Sequence, residues 1–572
     1  MKKIFQLFLL VTVIMPVTAF ALSFEVDGIY YRTNGNNATV TNRNYNATVD
    51  TIHVGDIIIP ETVTWNDRTY TVTAIDNRAF YGAAGMTSIT LPNTISTIGK
   101  SAFYKCTGLT SITIPESVTF IDEQAFRQCS SLDTLNFNAI SCQDFSQAGS
   151  LSPFYNIPNV NLGDKVERIP ALFGYDFMDL KSLTIPNSVT YIGEFAFYYN
   201  FYLTSLHIPS SVTHIGNSAL HGWQDLVSIT VDEDNPIYDS RDNCNAIIET
   251  ATNKLINGCN TTIIPNTVTS IDEYAFMQNF NSRLQQEPLV IPNSVTSIGY
   301  RAFAYTGGIK GIHIGSSVTS IGDEAFAGTS DIATMTVDEN NPVYDSRDNC
   351  NAIIETATNT VFAGCKNTVL PESVTAIGPH AFDRITSLYS FRMPNSITHI
   401  GNHAFYQCTS LSHLTLSTSL DSIADAAFYS IRTQNLIIPK SVTYMGRNAI
   451  HGSLIYDVYC YIPDPSLVTT MYQVFEPSSD MYFHTLHVPA GSLEAYQNDS
   501  YWSSLFGLIV EIEPTGDSNG DGVINIQDIT TLIDCLLGDQ ISEVNQVNAD
   551  LDFSGDLSIS DVTAMIDRLL NE

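Results

Sequence analysis

Leu109 to Ser131 reads LTSITIPESVTFIDEQAFRQCSS, and Leu132 starts the same phrase again, 23 residues on. Ile112 and Ile114 alternate with polar Ser111 and Thr113, the pattern of a short strand with one buried face. Pro115, with no N–H to give a strand ladder, ends it. Val118, Ile121, Ala125 and Phe126 are the other inward positions, and Cys129 fills a small buried slot before the next strand. The Ala-Phe pair recurs at Phe80, Phe103 and Phe126, then at Phe197 with Leu220 in its place 23 residues later. It returns at Phe276, Phe303, Phe326, Phe382, Phe405 and Phe428, and Ile450 closes the series. Longer gaps mark insertions, and the stretch near Phe173 reads as a degenerate turn. One such coil cannot bury its own apolar face, but stacked coils make a continuous core. The expectation is a β-rich solenoid of about 23-residue coils.

Two insertions form a second repeat. VDEDNPIYDSRDNCNAIIETATNKLINGC (231–259) returns as VDENNPVYDSRDNCNAIIETATNTVFAGC (337–365), 106 residues later. Asn245 to Thr250 and Lys254 to Gly258, around Ala251-Thr252-Asn253, predict a β-hairpin projecting from the solenoid. Cys244 with Cys259, and Cys350 with Cys365, bracket the two hairpins. Antiparallel pairing would bring their Cα atoms near the roughly 5.5 Å a disulfide needs, so both pairs are candidate disulfides that export permits without enforcing. Cys106, Cys129 and Cys408 share one repeat position and read as a ladder of small buried residues, while Cys142, Cys460 and Cys535 have no evident partner.

The outward row of the strands is flat and rich in hydroxyls, from Ser88 and Thr90 through Ser111 and Thr113 to Ser390 and Arg392, then His413 and Thr415. Such a face suits contact with a protein or a glycan; equally, small hydroxyls simply pack well across neighbouring strands. His214 and His399 fall at a position that elsewhere holds Thr97, Phe120, Tyr191, Ser270, Ser320 and Tyr444, which marks an outer surface rather than a ligand cage. The chain contains no HExxH, nucleophile elbow or phosphate loop, so no catalytic residue is assigned and the protein is read as no enzyme.

Residues 517–528, DSNGDGVINIQD, fit a calcium loop with Asp517, Asn519 and Asp521 offering side-chain oxygens, Val523 its carbonyl and Asp528 the closing carboxylate. Thirty-three residues on, DLDFSGDLSISD (550–561) repeats it with Asp550, Asp552, Ser554, the Asp556 carbonyl and Asp561. The following apolar stripe repeats as well: Ile529, Leu532, Ile533, Leu536 and Leu537 correspond to Val562, Met565, Ile566, Leu569 and Leu570. Carboxylates registered this way repel one another without a cation, and oxygen-only ligands favour Ca²⁺ over Zn²⁺. Two calcium sites in a small all-α C-terminal domain are therefore expected.

The chain has 572 residues and a formal charge of −34, with 59 Asp and Glu against only 25 Lys and Arg. So few bases exclude a phosphate-binding surface, and neither nucleic acid nor anionic lipid is an expected partner. At the N-terminus, Lys2 and Lys3, the apolar run Ile4 to Met15 and Ala19-Phe20-Ala21 predict an export signal too short to span a bilayer. The expected divisions are a signal peptide at 1–21 and an N-terminal β cap at 22–73. The solenoid follows at 74–452 with hairpin insertions at 231–265 and 337–371, its C-terminal cap at 453–513, and the calcium domain at 514–572. Pro514-Thr515-Gly516 reads as a short linker that leaves the last domain separate.

The unit L-x-x-I-x-I-P-x-S-V-x-x-I-x-x-x-A-F-x-x-C resembles the BspA-type leucine-rich repeat of bacterial surface proteins. FEVDGIYYRTNG and LHVPAGSLEAYQNDSYWSSLFGLIVEI resemble the caps of such proteins. The duplicated loop-helix unit resembles type I dockerin domains; Asp528 and Asp561 keep the family's closing Asp, whereas Ile526-Gln527 and Ile559-Ser560 depart from its often hydroxyl-bearing pair. The first resemblance implies a secreted or cell-surface protein adhering to host extracellular proteins such as fibronectin or fibrinogen. The second implies a cohesin-type partner. Together they leave two expectations: a solenoid that binds a protein ligand beside a calcium-dependent docking domain, or a non-catalytic, carbohydrate-associated component of a dockerin–cohesin assembly that degrades polysaccharide.

Overall fold

The computed structural model describes residues 22–42, 52–145, 152–175, 177–278, 288–471, 473–475, 483–513, 516–519, 524–538, 544–552, 554 and 556–571. They fall into two units, Met1–Asn200 with Ser211–Ala219 and Phe201–Ser210 with Leu220–Glu572. The same coil builds both, giving a β-solenoid of about 18 turns of roughly 23 residues.

In the first unit Ser111–Ile114 pairs in parallel with Thr134–Phe137, Ser111 opposite Thr134, so one turn advances the chain by one repeat. Ile112, Ile114, Leu135 and Phe137 face the core, and Ser111 and Thr113 face solvent. Gly311–Ile314 and Thr334–Val337 repeat the pairing in the second unit. Each coil also contributes to a second parallel sheet through strands of two residues: Thr97–Ile98 and Phe120–Ile121 in one unit, Ala376–Ile377, His399–Ile400, Ser422–Ile423 and Tyr444–Met445 in the other. The sequence marks this position only as tolerant surface, because two residues are too few to show an alternation.

The Ala-Phe positions stack ring on ring. Phe80, Phe103, Phe126 and Phe154 have centroids 5.2, 4.8 and 5.2 Å apart with nearly parallel planes. Phe276–Phe303–Phe326 and Phe382–Phe405–Phe428 form the same columns in the second unit. Burial of each ring contributes about 1.5–3 kcal/mol, and each stacked pair about 0.5–1.5 more. Phe154 is a member that the Ala-Phe pattern hides: Pro153 replaces the alanine, and its carbonyl accepts the Phe126 N–H at 2.8 Å. Three residues after the ring sits the small slot. There Cys106, Cys129 and Cys408 donate their thiols to the carbonyls of Phe80, Phe103 and Phe382 at 3.1, 3.0 and 3.0 Å. Thr306 and Ser453 do the same to Phe276 and Phe428. The column selects any small donor that satisfies a buried carbonyl, and cysteine is one of several.

Ala246–Glu249 pairs antiparallel with Lys254–Gly258, and Tyr238–Asp239 adds a third strand; Tyr344–Asp345, Ala352–Glu355 and Thr360–Gly364 repeat the motif. These hairpins do not project. Ile247, Ile248 and Leu255 are fully buried, and Leu255 pairs in parallel with Ile271 of the next coil. Each hairpin thus replaces a coil wall, and its last glycine passes the phenylalanine column. A Cβ on Gly258 would lie 2.2 Å from the Phe276 ring, and one on Gly364 2.1 Å from that of Phe382.

At the N-terminal end Ser23–Val26, Ile29–Asn34 and Asn37–Thr41 form an antiparallel meander, and Arg68–Ile75 joins it to the first coils; Phe24 stacks on Trp65 at 5.0 Å. At the other end Arg432–Ile438, Leu454–Cys460, Phe483–Val488 and Phe506–Glu511 run parallel, with helices α1 (Leu493–Asn498) and α2 (Ser500–Leu505) between the last two. Trp502, buried among Phe475, Tyr496 and Phe506, closes the core there. Three more helices follow: α3 (Ile526–Leu537), α4 (Gln546–Ala549) and α5 (Ile559–Asn571). They enclose a small core of Leu532, Ala549, Val562 and Met565. No helix among the described residues is long and apolar enough to cross a membrane.

Candidate functional site

The two acidic loops place their closing carboxylates alike. Asp528 is fully buried at the start of α3, accepting the Asn519 N–H at 3.1 Å and the Asn525 N–H at 2.8 Å. Asp561 is fully buried at the start of α5, accepting the Asp552 N–H at 3.2 Å and the Ser558 N–H at 2.8 Å. Each bond recurs 33 residues on, so the sequence repeat is also a repeat of geometry. In the second loop, oxygens of Asp550, Asp552 and Asp561 all lie within 4.8 Å of one another. Ser554 donates its N–H to both Asp550 and Asp552 at 2.9 Å, and its hydroxyl lies 3.0 Å from the Asp556 carbonyl. Burial, with the nearby Asp552 charge adding to it, pushes the Asp561 carboxyl above its ordinary value. Burial also acts to raise Asp552, but hydrogen bonds from Ser554 outweigh it and hold that carboxyl low. Three converging carboxylates, two of them buried, are a donor set that fits a hard divalent cation. In the first loop Asp517 and Asn519 are placed, whereas Asp521 and Val523 lie outside the described residues, as do the stretch expected to be an export signal and Pro514-Thr515.

The domain that carries these loops is seated on the solenoid. Val547 of α4 packs with Tyr461 and Ile512, over Ile437 and Tyr459 of the outward row. The Tyr461 hydroxyl is hydrogen-bonded to Asp550, the first residue of the second loop, and burial together with that carboxylate drives the phenol upward. Ile512, just before the expected linker, is buried, and Gly516, the last residue of that linker, donates its N–H to the Asn548 carbonyl at 2.8 Å. Apolar packing thus ties the last domain to the C-terminal coils. The sequence carried a signal for this. Ile437 and Tyr459 are apolar where most other coils place Thr, Asn or His in the outward row.

Where the domain overhangs the strand face it leaves a cleft of about 460 Å³, which Arg392 and His413 enter from the strands and Asn545 and Gln546 from the domain. Away from the cleft the outward row is self-satisfied. His207 and His313 each lie 3.0 Å from a threonine hydroxyl one coil on, Thr230 and Thr336.

A second carboxylate–histidine group escaped the sequence reading. Glu324, His380 and Asp383 bring ligand-type atoms within 4.8 Å, and the His380 and His403 rings stack at 4.9 Å. Its signal was the column just before Ala-Phe, which reads Arg301, Glu324, His380, His403 in successive coils of that frame. Arg301 holds Glu324 through two N–H donors, and Arg384 lies 3.3 Å from Asp383. Two guanidiniums balance two carboxylates, so no net charge is left to attract a cation, and the group ties coils together as an ion network.

All ten cysteines are buried free thiols, so the expected Cys244–Cys259 and Cys350–Cys365 disulfides are not formed in this structure. The hairpin gives each thiol a carbonyl instead: Cys244 faces that of Ala246, and Cys259 that of Asn245 at 3.3 Å. Cys350 and Cys365 repeat this with Ala352 and Asn351. Burial raises the Cys244, Cys350 and Cys365 thiols above their ordinary values and keeps them protonated.

The model of the BspA type leucine rich repeat region matches residues 61–173, 152–281, 246–359 and 355–478, and that of the dockerin type I domain matches residues 515–570. Among solved structures, a leucine rich cell surface protein from Faecalibacterium prausnitzii is 25% identical with a TM-score of 0.43, covering 69% of this chain and 94% of that one. A leucine-rich repeat protein from Eubacterium ventriosum is 18% identical with a TM-score of 0.41, covering 76% and 95%. The pneumococcal vaccine antigen PcpA is 15% identical with a TM-score of 0.32, covering 86% and 99%. No curated protein sequence matches the chain. With repeat matches running from residue 61 to 478, the chain belongs to the BspA-type leucine-rich-repeat family, and it carries a dockerin type I domain at its C-terminal end.

Proposed function

We propose that this is an exported interaction protein whose solenoid binds a protein ligand and whose dockerin domain, with Ca²⁺ in two loops, attaches it to a cohesin-type partner. Both matching families are interaction modules, and dockerin type I domains bind calcium and cohesins. The observation that carries the reading is the convergence of Asp550, Asp552 and Asp561, mirrored 33 residues earlier by Asp528 and its two N–H donors. The ligands are those the sequence nominates: Asp517, Asn519, Asp521, Val523 and Asp528 in one loop; Asp550, Asp552, Ser554, Asp556 and Asp561 in the other. Apolar side chains left uncovered support docking. Ile526 and Ile559, equivalent in the two halves, are each 72% exposed, and Leu537 and Leu570 are exposed in the same paired way. Such pairs on a small soluble domain mark a partner surface.

The test is a pull-down with a cohesin module, with and without calcium, on the full chain and on an Asp517→Ala/Asp550→Ala variant. Calcium-dependent capture that the variant loses is the expected result; capture indifferent to calcium or to the variant would overturn the docking reading. Fibronectin and fibrinogen, immobilised, test the solenoid's protein ligand in parallel. The carbohydrate-associated alternative is favoured by one observation of its own, the polar cleft beneath the dockerin domain.

A further inference from the structure

We infer that the cleft between the strand face and the dockerin domain is a binding site for a carboxylate-bearing sugar, a hexuronate-like unit at the end or edge of a glycan. The inference deepens the carbohydrate-associated reading and rests on it only for the choice of a sugar over a peptide. The cleft holds about 460 Å³, the size of a small-ligand site, and it lies at a seam between two modules, where such sites concentrate.

Arg392 decides the charge of the ligand. Several arginines in this acidic chain are paired with a carboxylate: Arg168 with Asp144, Arg241 with Asp239, Arg301 with Glu324, Arg347 with Asp345. The Arg392 guanidinium makes no hydrogen bond or ion pair among the described residues, although it lines a cleft. A planar fork of five N–H donors matches a carboxylate in two parallel bonds. Around it stand neutral amides, Gln434 and Asn435 from the strand Arg432–Ile438 and Asn545 and Gln546 from the domain, with hydroxyls of Ser390 and Thr415. Amides that both donate and accept are suited to the vicinal hydroxyls of a sugar.

The surrounding charge sets the valence. A formal charge of −34 repels a polyanion at long range, so a dense polyuronate or a phosphorylated chain is disfavoured. A single carboxylate on an otherwise neutral glycan meets the Arg392 guanidinium at short range and suffers far less from that field. A peptide carboxylate would satisfy Arg392 as well, but it would leave the amide ring without hydroxyls to bond.

Titration calorimetry on the full chain in saturating calcium tests this with galacturonate and N-acetylneuraminate as probes, galactose as the neutral twin and N-acetyl-aspartate amide as the peptide arm. The expected result is saturable binding of an acidic sugar at one site, at least tenfold tighter than galactose. Arg392→Gln should abolish that preference, while Arg432→Gln, an exposed arginine outside the cleft, should keep it. Equal affinity for acidic and neutral sugar, binding unchanged in Arg392→Gln, no binding at all, or preference for the peptide probe would each overturn the site. Because cohesin capture is read separately, failure here would leave the docking reading standing, and failure there would leave this one.

Discussion

Asp345 and Arg347 show how much a single pair controls. Asp345 accepts from Arg347 Nε at 2.8 Å, and Arg347 reaches on to Asn359 at 2.9 Å, pinning the base of the hairpin; Asp239, Arg241 and Asn253 do the same 106 residues earlier. Burial alone would raise both carboxyls, but the guanidinium hydrogen bonds outweigh it and hold them below the ordinary carboxylate value. A depressed native value means that the pair stabilises fully above the unfolded value of about 3.9 and is lost as pH falls through the native one. Hydrogen-exchange protection of residues 352–364 should therefore be flat above about pH 5 and drop below about pH 4. Asp345→Asn should weaken that hairpin by about 1.5–3 kcal/mol and remove its acid sensitivity. The buried thiols give a second prediction. Denatured, unreduced protein should titrate ten thiols, and reductant should leave the melting curve of native protein unchanged; eight or six thiols would restore one or both hairpin disulfides. Bracketing cysteines report proximity along a hairpin, but not whether each thiol already has a carbonyl to serve.

At the scale of elements, the long strand and the Ala-Phe turn were legible because their apolar spacing repeats at 23 residues and their burial is complete. The two-residue strands were not, since their outward residue can be Thr, Phe, Tyr, His or Ser and only the following Ile or Met is constrained. The hairpins were legible as hairpins, yet their depth was not: Ile247, Ile248 and Leu255 alternate too little to reveal that both faces are covered. Gly364 is the better clue, because it faces the Phe382 ring where any Cβ would collide. Gly364→Ala should push that ring out of its column with Phe405 and cost about 1–3 kcal/mol, seen as a lower melting temperature. An unchanged melting temperature would mean that the hairpin can lift without loss.

For the molecule as a whole, both repeats and the identity of the acidic domain were readable from periodicity, whereas its seat on the solenoid was not. Periodicity reports what each coil does for its neighbours; the contact between Val547 and the Tyr461–Ile512 pair occurs once, and only the break in the outward row at Ile437 and Tyr459 marks it. That contact makes calcium a matter for the last coils as well as for the loops. Asp550 answers both to its fellow carboxylates and to the Tyr461 hydroxyl, so ordering the second loop should tighten the domain against Arg432–Ile438 and Leu454–Cys460. Coils farther from the seat bind no metal in this account, and a solenoid's stability is a sum over nearest neighbours. Hydrogen exchange of the full chain with and without calcium measures this directly. Calcium should protect residues 517–528 and 550–561 strongly and 432–438 and 454–460 measurably, and leave the Phe276–Phe303–Phe326 coils unchanged. Protection absent from the two loops, or spread evenly over the coils, would contradict it.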